Sequence, residues 1–219
     1  MNKRKTKKYF KTDDLKKCSR FWIILFKTIL SKLYHWKIYV VGSVEYQYPN
    51  HLFQAGYFLD KKYYDENTID FKHLLLSEKN QSLLKDIQNS NSVGVHIRRG
   101  DYMTKQNLVI FGNICTQKYY HDAIRIITEK VNDAVFYVFS DDISWVQTHL
   151  DIPNAVYVNW NTGESSIYDM YLMSSCKYNI IANSTFSYWA ARLNKKTNMV
   201  IYPSKWYNTF TPDIFPESW

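Results

Sequence analysis

The stretch Val93-Gly94-Val95-His96-Ile97-Arg98-Arg99-Gly100-Asp101-Tyr102 ends a short apolar run in a histidine, two adjacent arginines, a glycine and a carboxylate. A guanidinium is planar, forked and permanently charged, so it grips two phosphate oxygens at once. Two of them at the mouth of a strand point to a site for a nucleotide-sugar diphosphate. Arg98 and Arg99 can neutralise the charge that builds as a pyrophosphate leaves a sugar, while His96 can pair with base or ribose. Asp101 is the carboxylate nearest the arginines. It is a candidate base for an acceptor hydroxyl, or a residue that orients the arginines. The plainer reading of Arg98 is an ion pair with Asp101 at the strand end.

Two further polar clusters stand at matching places. Ser140-Asp141-Asp142 follows the apolar run 134–139, and Asn183-Ser184-Thr185-Phe186-Ser187 follows the run 178–182. Asp141 or Asp142 can accept from a guanine edge, whose N1–H and N2–H2 groups are both donors. Ser184, Thr185 and Ser187 open a helix, where free N–H groups and hydroxyls receive phosphate oxygens. Asp142, just before a helix, is also an ordinary N-cap. No third carboxylate stands near the Asp pair and the six histidines lack metal-ligand spacing, so no metal is expected.

To position these clusters the chain needs alternating strands and helices, and its hydrophobic pattern supplies them. Residues 93–97, 134–139, 155–160, 178–182 and 199–202 read as strands, with helices over 116–130, 143–150, 165–176 and 184–193. Thr116 stands where a cap is needed. Ahead of these lie a strand at 38–41, an aromatic stretch at 51–59 and a helix around 78–88. This order predicts an α/β fold, a mostly parallel sheet with helices on both faces. Ligands of such sheets bind beyond the carboxyl ends of the strands, which puts all three clusters on one rim.

The chain has 219 residues, 46% of them hydrophobic, with 19 Tyr, 12 Phe and 7 Trp. That is enough to bury a core, and it excludes a disordered protein. The net charge of +8 is uneven: residues 1–37 hold 12 of the 28 Lys+Arg and 2 of the 20 Asp+Glu. The remainder is slightly acidic, so no nucleic-acid partner is expected for the body. Cys18, Cys115 and Cys176 are widely spaced and fit reduced thiols in a cytoplasmic protein. Residues 1–20 read as a basic tail. Phe21, Trp22, Leu25, Phe26, Ile29 and Leu33 then recur at helical spacing, in a run too short to span a bilayer. This segment is either a basic amphipathic helix drawn to an anionic membrane face or a helix packed on the body.

Taken together, the residues 96–102, Phe139-Ser140-Asp141-Asp142, the run 169–176 and the run 180–191 resemble the family 11 glycosyltransferases, the alpha-1,2-fucosyltransferases common in bacteria. Gly56-Tyr57-Phe58 ahead of Lys62-Tyr63-Tyr64 is similar to the family's segment before the arginine motif. The resemblance implies an inverting, metal-independent enzyme of GT-B type, with a Rossmann-like donor domain over 91–219. It implies transfer of L-fucose from GDP-fucose, with no cofactor, to the 2-hydroxyl of a terminal galactoside. The paired arginines would hold the pyrophosphate, and the Asp pair and the run 183–187 would touch nucleoside and phosphates. The implied place is the cytoplasm, or the inner membrane face with residues 1–37 in peripheral contact. Family members open with a strand and a glycine-rich loop, whereas the first glycine here is Gly42. An incomplete acceptor-side domain, a helical remnant over 21–90, is therefore expected. Two rival expectations remain. One is a remnant that binds GDP or GDP-fucose without transfer; the other is a membrane- or nucleic-acid-associating protein acting through residues 1–37.

Overall fold

The computed structural model describes residues 70–219 and three short strands before them, β1 (Phe10–Lys11), β2 (Tyr39–Val41) and β3 (Phe53–Ala55). β2 pairs in parallel with β3, and β1 pairs antiparallel with β4 (Asp70–Phe71). The basic tail and the apolar pattern at 21–33 lie outside the described residues.

Five strands make the central sheet: β5 (Asn91–Ile97), β6 (Ala134–Ser140), β7 (Ala155–Val158), β8 (Tyr178–Ile180) and β9 (Met199–Ile201). All pair in parallel, in the order β7-β6-β5-β8-β9. The chain first steps outward from β5 to β7, then returns to the other side of β5. A crevice forms at such a reversal, beyond the carboxyl ends of β5 and β8.

Among the described residues six helices accompany the sheet: α1 (Glu78–Asn89), α2 (Lys105–Phe111), α3 (Gln117–Lys130), α4 (Ile143–His149), α5 (Ser166–Ser174) and α6 (Thr185–Arg192). Their starts are local chemistry. Ser77, Thr104, Thr116, Asp142 and Ser184 each accept a backbone N–H in the first turn, satisfying donors a helix start leaves open. α2, and the 3-10 turn Gly100–Met103 before it, were not expected.

Alternation along β5 builds the core on both faces. Val93, Val95 and Ile97 join Ile124 and Ile127 of α3 and Val146 of α4 in one buried cluster. Gly94 and His96 point the other way. A Cβ on Gly94 would stand 2.9 Å from Met173 Cγ and from Asn179 Oδ1. The missing side chain is what lets α5 lie this close to the sheet.

Compactness divides the chain into one unit of residues 1–11, 70–211 and 218–219 and another of 12–69 and 212–217. The expected boundary at 90/91 falls inside the first unit. Leu83 and Ile87 of α1 are buried and α1 contacts both β5 and α5, so this helix is part of the sheet's cover. Among the described residues no helix is long and apolar enough to cross a membrane.

Candidate active site

β5 ends where its last side chains clear the sheet, and the next residues enter a web of carboxylates. Arg98 Nη2 is 2.6 Å from Asp101 Oδ1 and Arg98 Nη1 is 2.8 Å from Asp141 Oδ2. The second oxygen of Asp141 accepts the Arg99 backbone N–H at 2.9 Å. Arg99 Nε donates to Asp142 Oδ2 at 3.1 Å, and its guanidinium lies 3.7 Å from the centre of the Trp145 ring. Asp142 Oδ1 meanwhile caps α4 by accepting Trp145 N–H at 3.1 Å. The plain readings of Arg98 and Asp142, an ion pair and a cap, are thus both observed. These bonds also fix where the guanidinium groups point.

Gly100 is required for this web. A Cβ there would fall 2.5 Å from Asp141 Oδ2, the oxygen that holds Arg98. Asp142, whose carboxyl is held below its usual range first by the Arg99 hydrogen bond, is a settled anion.

A cleft of about 490 Å³ opens beyond β5, β6 and β7, within the size range of small-ligand sites. Its walls include His96, Arg98, Asp141, Asn161, Asp169 and Phe186. His96 lies 5.0 Å from Phe186, ring centre to ring centre. Its Nδ1 is buried with no hydrogen-bond partner among the described residues. Burial, aided by Arg98, lowers the imidazole to about 3, so it stands neutral at the wall. Asp169 behaves in the opposite sense. Burial pushes its carboxyl up to about 7, partly offset by the hydrogen bond from Asn161 Nδ2 at 2.6 Å.

The cleft therefore gathers His96, Arg98, Asp141 and Phe186 from the expected set. Arg99 instead lines a smaller hollow of about 250 Å³, shared with Arg98, Tyr102, Trp145 and Asn183. Thr185 is exposed in the first turn of α6 and Ser184 caps that turn. The Asn183 amide is buried and donates to the carbonyls of Phe111 and Trp206. The Ser187 hydroxyl is fully buried and donates to the carbonyls of Ala182 and Ser184. These two side chains brace the rim. A larger hollow of about 780 Å³ lies elsewhere, by Asp70–Leu76 and Lys195, away from the arginine pair.

Asp169 and Asn161 were not singled out as site residues. The available signal was a carboxylate among Ile167, Met170, Leu172 and Met173 on an otherwise apolar helix, a position that has to be explained. Among the described residues no group of three or more His, Cys, Asp or Glu stands ready to hold a metal.

The parallel sheet accompanied by helices defines an α/β protein, with paired guanidinium groups beyond the sheet's carboxyl edge. More narrowly, the chain belongs to glycosyl transferase family 11, whose profile matches residues 11–219. It is 35% identical over 193 residues to an alpha-1,2-colitosyltransferase of Escherichia coli, covering 81% of this chain and 62% of that protein. It is 44% identical over 122 residues to the O-antigen biosynthesis glycosyltransferase WbnK of Escherichia coli, covering 55% and 40%. A galactoside alpha-(1,2)-fucosyltransferase 2 of Pongo pygmaeus is 29% identical over 128 residues, covering 55% and 37%. The chain thus spans between about two fifths and three fifths of the length of these relatives.

Proposed function

We propose that the chain carries the donor site of an alpha-1,2-fucosyltransferase, which moves L-fucose from GDP-fucose to the 2-hydroxyl of a terminal galactoside with inversion. The observation that carries this is Arg98, aimed into the cleft mouth by Asp101 and Asp141. In the reaction the acceptor hydroxyl oxygen bonds to C1 of fucose as the bond from C1 to the diphosphate breaks, and the hydroxyl proton passes to a water at the acceptor. GDP takes the electron pair. Arg98 meets that charge, and the Thr185 hydroxyl, exposed in the first turn of α6, is assigned to the phosphates. Positive charge comes from guanidinium groups in this scheme, so EDTA should leave transfer unchanged.

Asp141 and Asp142 are committed to the arginines, which leaves Asp169 as the cleft carboxyl for the N1–H and N2–H2 donors of guanine. Neutral His96 packs at the base or ribose. Asp101 orients Arg98, since its Oδ1 is bound to Nη2 at 2.6 Å. The basic residues 1–37 are assigned to peripheral contact with an anionic membrane on the cytoplasmic side. Removing residues 1–20 should abolish binding to anionic liposomes and leave nucleotide binding intact.

The test is product formation from GDP-fucose and lactose by the full chain. Fucosylated lactose is expected; GDP binding without any product would mark a donor-binding remnant. A second reading, a colitosyl in place of the fucosyl group, is favoured by the 35% identity to the colitosyltransferase. Competition between the two GDP-sugars separates the readings.

A further inference from the structure

Behind Asp169 lies a chain of hydrogen bonds whose direction is set from one end. Trp160 Nε1 donates to Asn80 Oδ1 at 2.7 Å. An indole N–H can only donate, so this contact fixes which end of the Asn80 amide is oxygen. Asn80 Nδ2 is then left to donate to Asn161 Oδ1, at 3.0 Å. Asn161 in turn presents Nδ2, which donates to Asn80 Oδ1 at 3.1 Å and to Asp169 Oδ1 at 2.6 Å. Turning the Asn161 amide over would set its oxygen against the carboxylate and its nitrogen against the Asn80 nitrogen. Both contacts would repel.

Asn80 is 1% exposed, sits in the first turn of α1, and lies about 80 positions from its partners in the chain. Its side-chain amide makes three bonds, all to Trp160 and Asn161. A buried amide is costly unless its hydrogen bonds are made, so this one must be held for what it does there.

We propose that Asn80 is a positioning residue for nucleobase selection: through Asn161 it supplies one fixed N–H to Asp169, holding the carboxyl for a base edge that carries two donors. This rests on the donor-site reading above, with guanine as the base. Asn80 itself touches no ligand. Its effect is on which base the cleft prefers.

Calorimetry on the full chain with GDP and IDP reads the preference directly, because hypoxanthine lacks the 2-amino donor of guanine. The native chain is expected to bind GDP about tenfold more tightly than IDP, the scale of one hydrogen bond to a carboxylate. Asp169→Asn should bring the ratio near one. Asn80→Ala should do the same, although Asn80 lies outside the cleft wall. Trp160→Phe keeps an aromatic ring and removes the N–H that sets the direction; it should lower the ratio by a smaller factor, and Asn80→Ala combined with Trp160→Phe should lose no more than Asn80→Ala alone. A change that merely loosened the fold would weaken GDP and IDP in proportion. If Asp169→Asn collapses the ratio while Asn80→Ala and Trp160→Phe both keep the native value, the role of Asn80 is refuted and the donor site stands. If the native chain shows no GDP preference that Asp169→Asn alters, the base assignment fails and the role of Asn80 falls with it. Should Asn80→Ala fail to fold, Trp160→Phe decides alone.

Discussion

At the scale of single residues, neighbouring carboxylates give up their own freedom to hold the arginine pair. Arg98 is shared between Asp101 and Asp141, and Asp141 reaches it only where Gly100 has no side chain. Gly100→Ala should displace Asp141, weaken GDP binding about tenfold and leave the melting temperature nearly unchanged; titration calorimetry beside a melting curve checks this. Asp169 should govern pH dependence. Burial raises its carboxyl to about 7, so below that pH it is neutral and loses the acceptor that a guanine edge needs. GDP-fucose affinity should fall as pH drops through about 7 and level off above it, and Asp169→Asn should remove the step. His96 adds none, since burial holds it near 3. The same shift bears on folding with its own sign. The folded carboxyl keeps a proton that the unfolded one releases near 3.8, so this contribution is fully present below that pH and lost as pH rises through about 7. The arginines, His96 and the two aspartates after β6 stood out in the sequence because charge beside an apolar run is conspicuous; of these, His96, Arg98 and Asp141 line the cleft. Asp169 was masked by its apolar helix. The run 183–187 was read as one ligand-binding stretch, yet a helix start turns successive side chains in different directions. Thr185 faces out while Asn183 and Ser187 face carbonyls within the fold.

At the scale of elements, period decided what could be read. β5, β6 and α3 carry strong patterns and lie within a few residues of their expected ranges. α2 carries the opposite signal. Val109 is 74% exposed and Ile110 43% exposed, so its apolar residues do not mark a buried face. Only Thr104 at its start and Gly112 at its end announce it. Helix-to-sheet distance is a finer matter, set at Gly94. Gly94→Ala would press on Met173 and Asn179 from 2.9 Å. The expected cost is about 1–3 kcal/mol, read as a lower midpoint in denaturant unfolding with GDP affinity per folded molecule preserved.

At the scale of the whole molecule, the strand order β7-β6-β5-β8-β9 explains why residues 96–101, 140–142 and 183–187 meet at one edge although they are far apart in sequence. The α/β alternation made that edge foreseeable; the extent of the compact unit was not, because α1 joins it through buried Leu83 and Ile87 rather than through the alternating pattern. Function at this scale reduces to whether the cleft beyond β5 receives a diphosphate through Arg98. Calorimetry of GDP against the native chain and Arg98→Ala measures this most directly. Loss of two charge-assisted hydrogen bonds, with Asp101 and Asp141 left unpaired beside the ligand, should weaken GDP binding about 100-fold. Equal affinity in the two proteins would contradict the assignment of the cleft as the donor site.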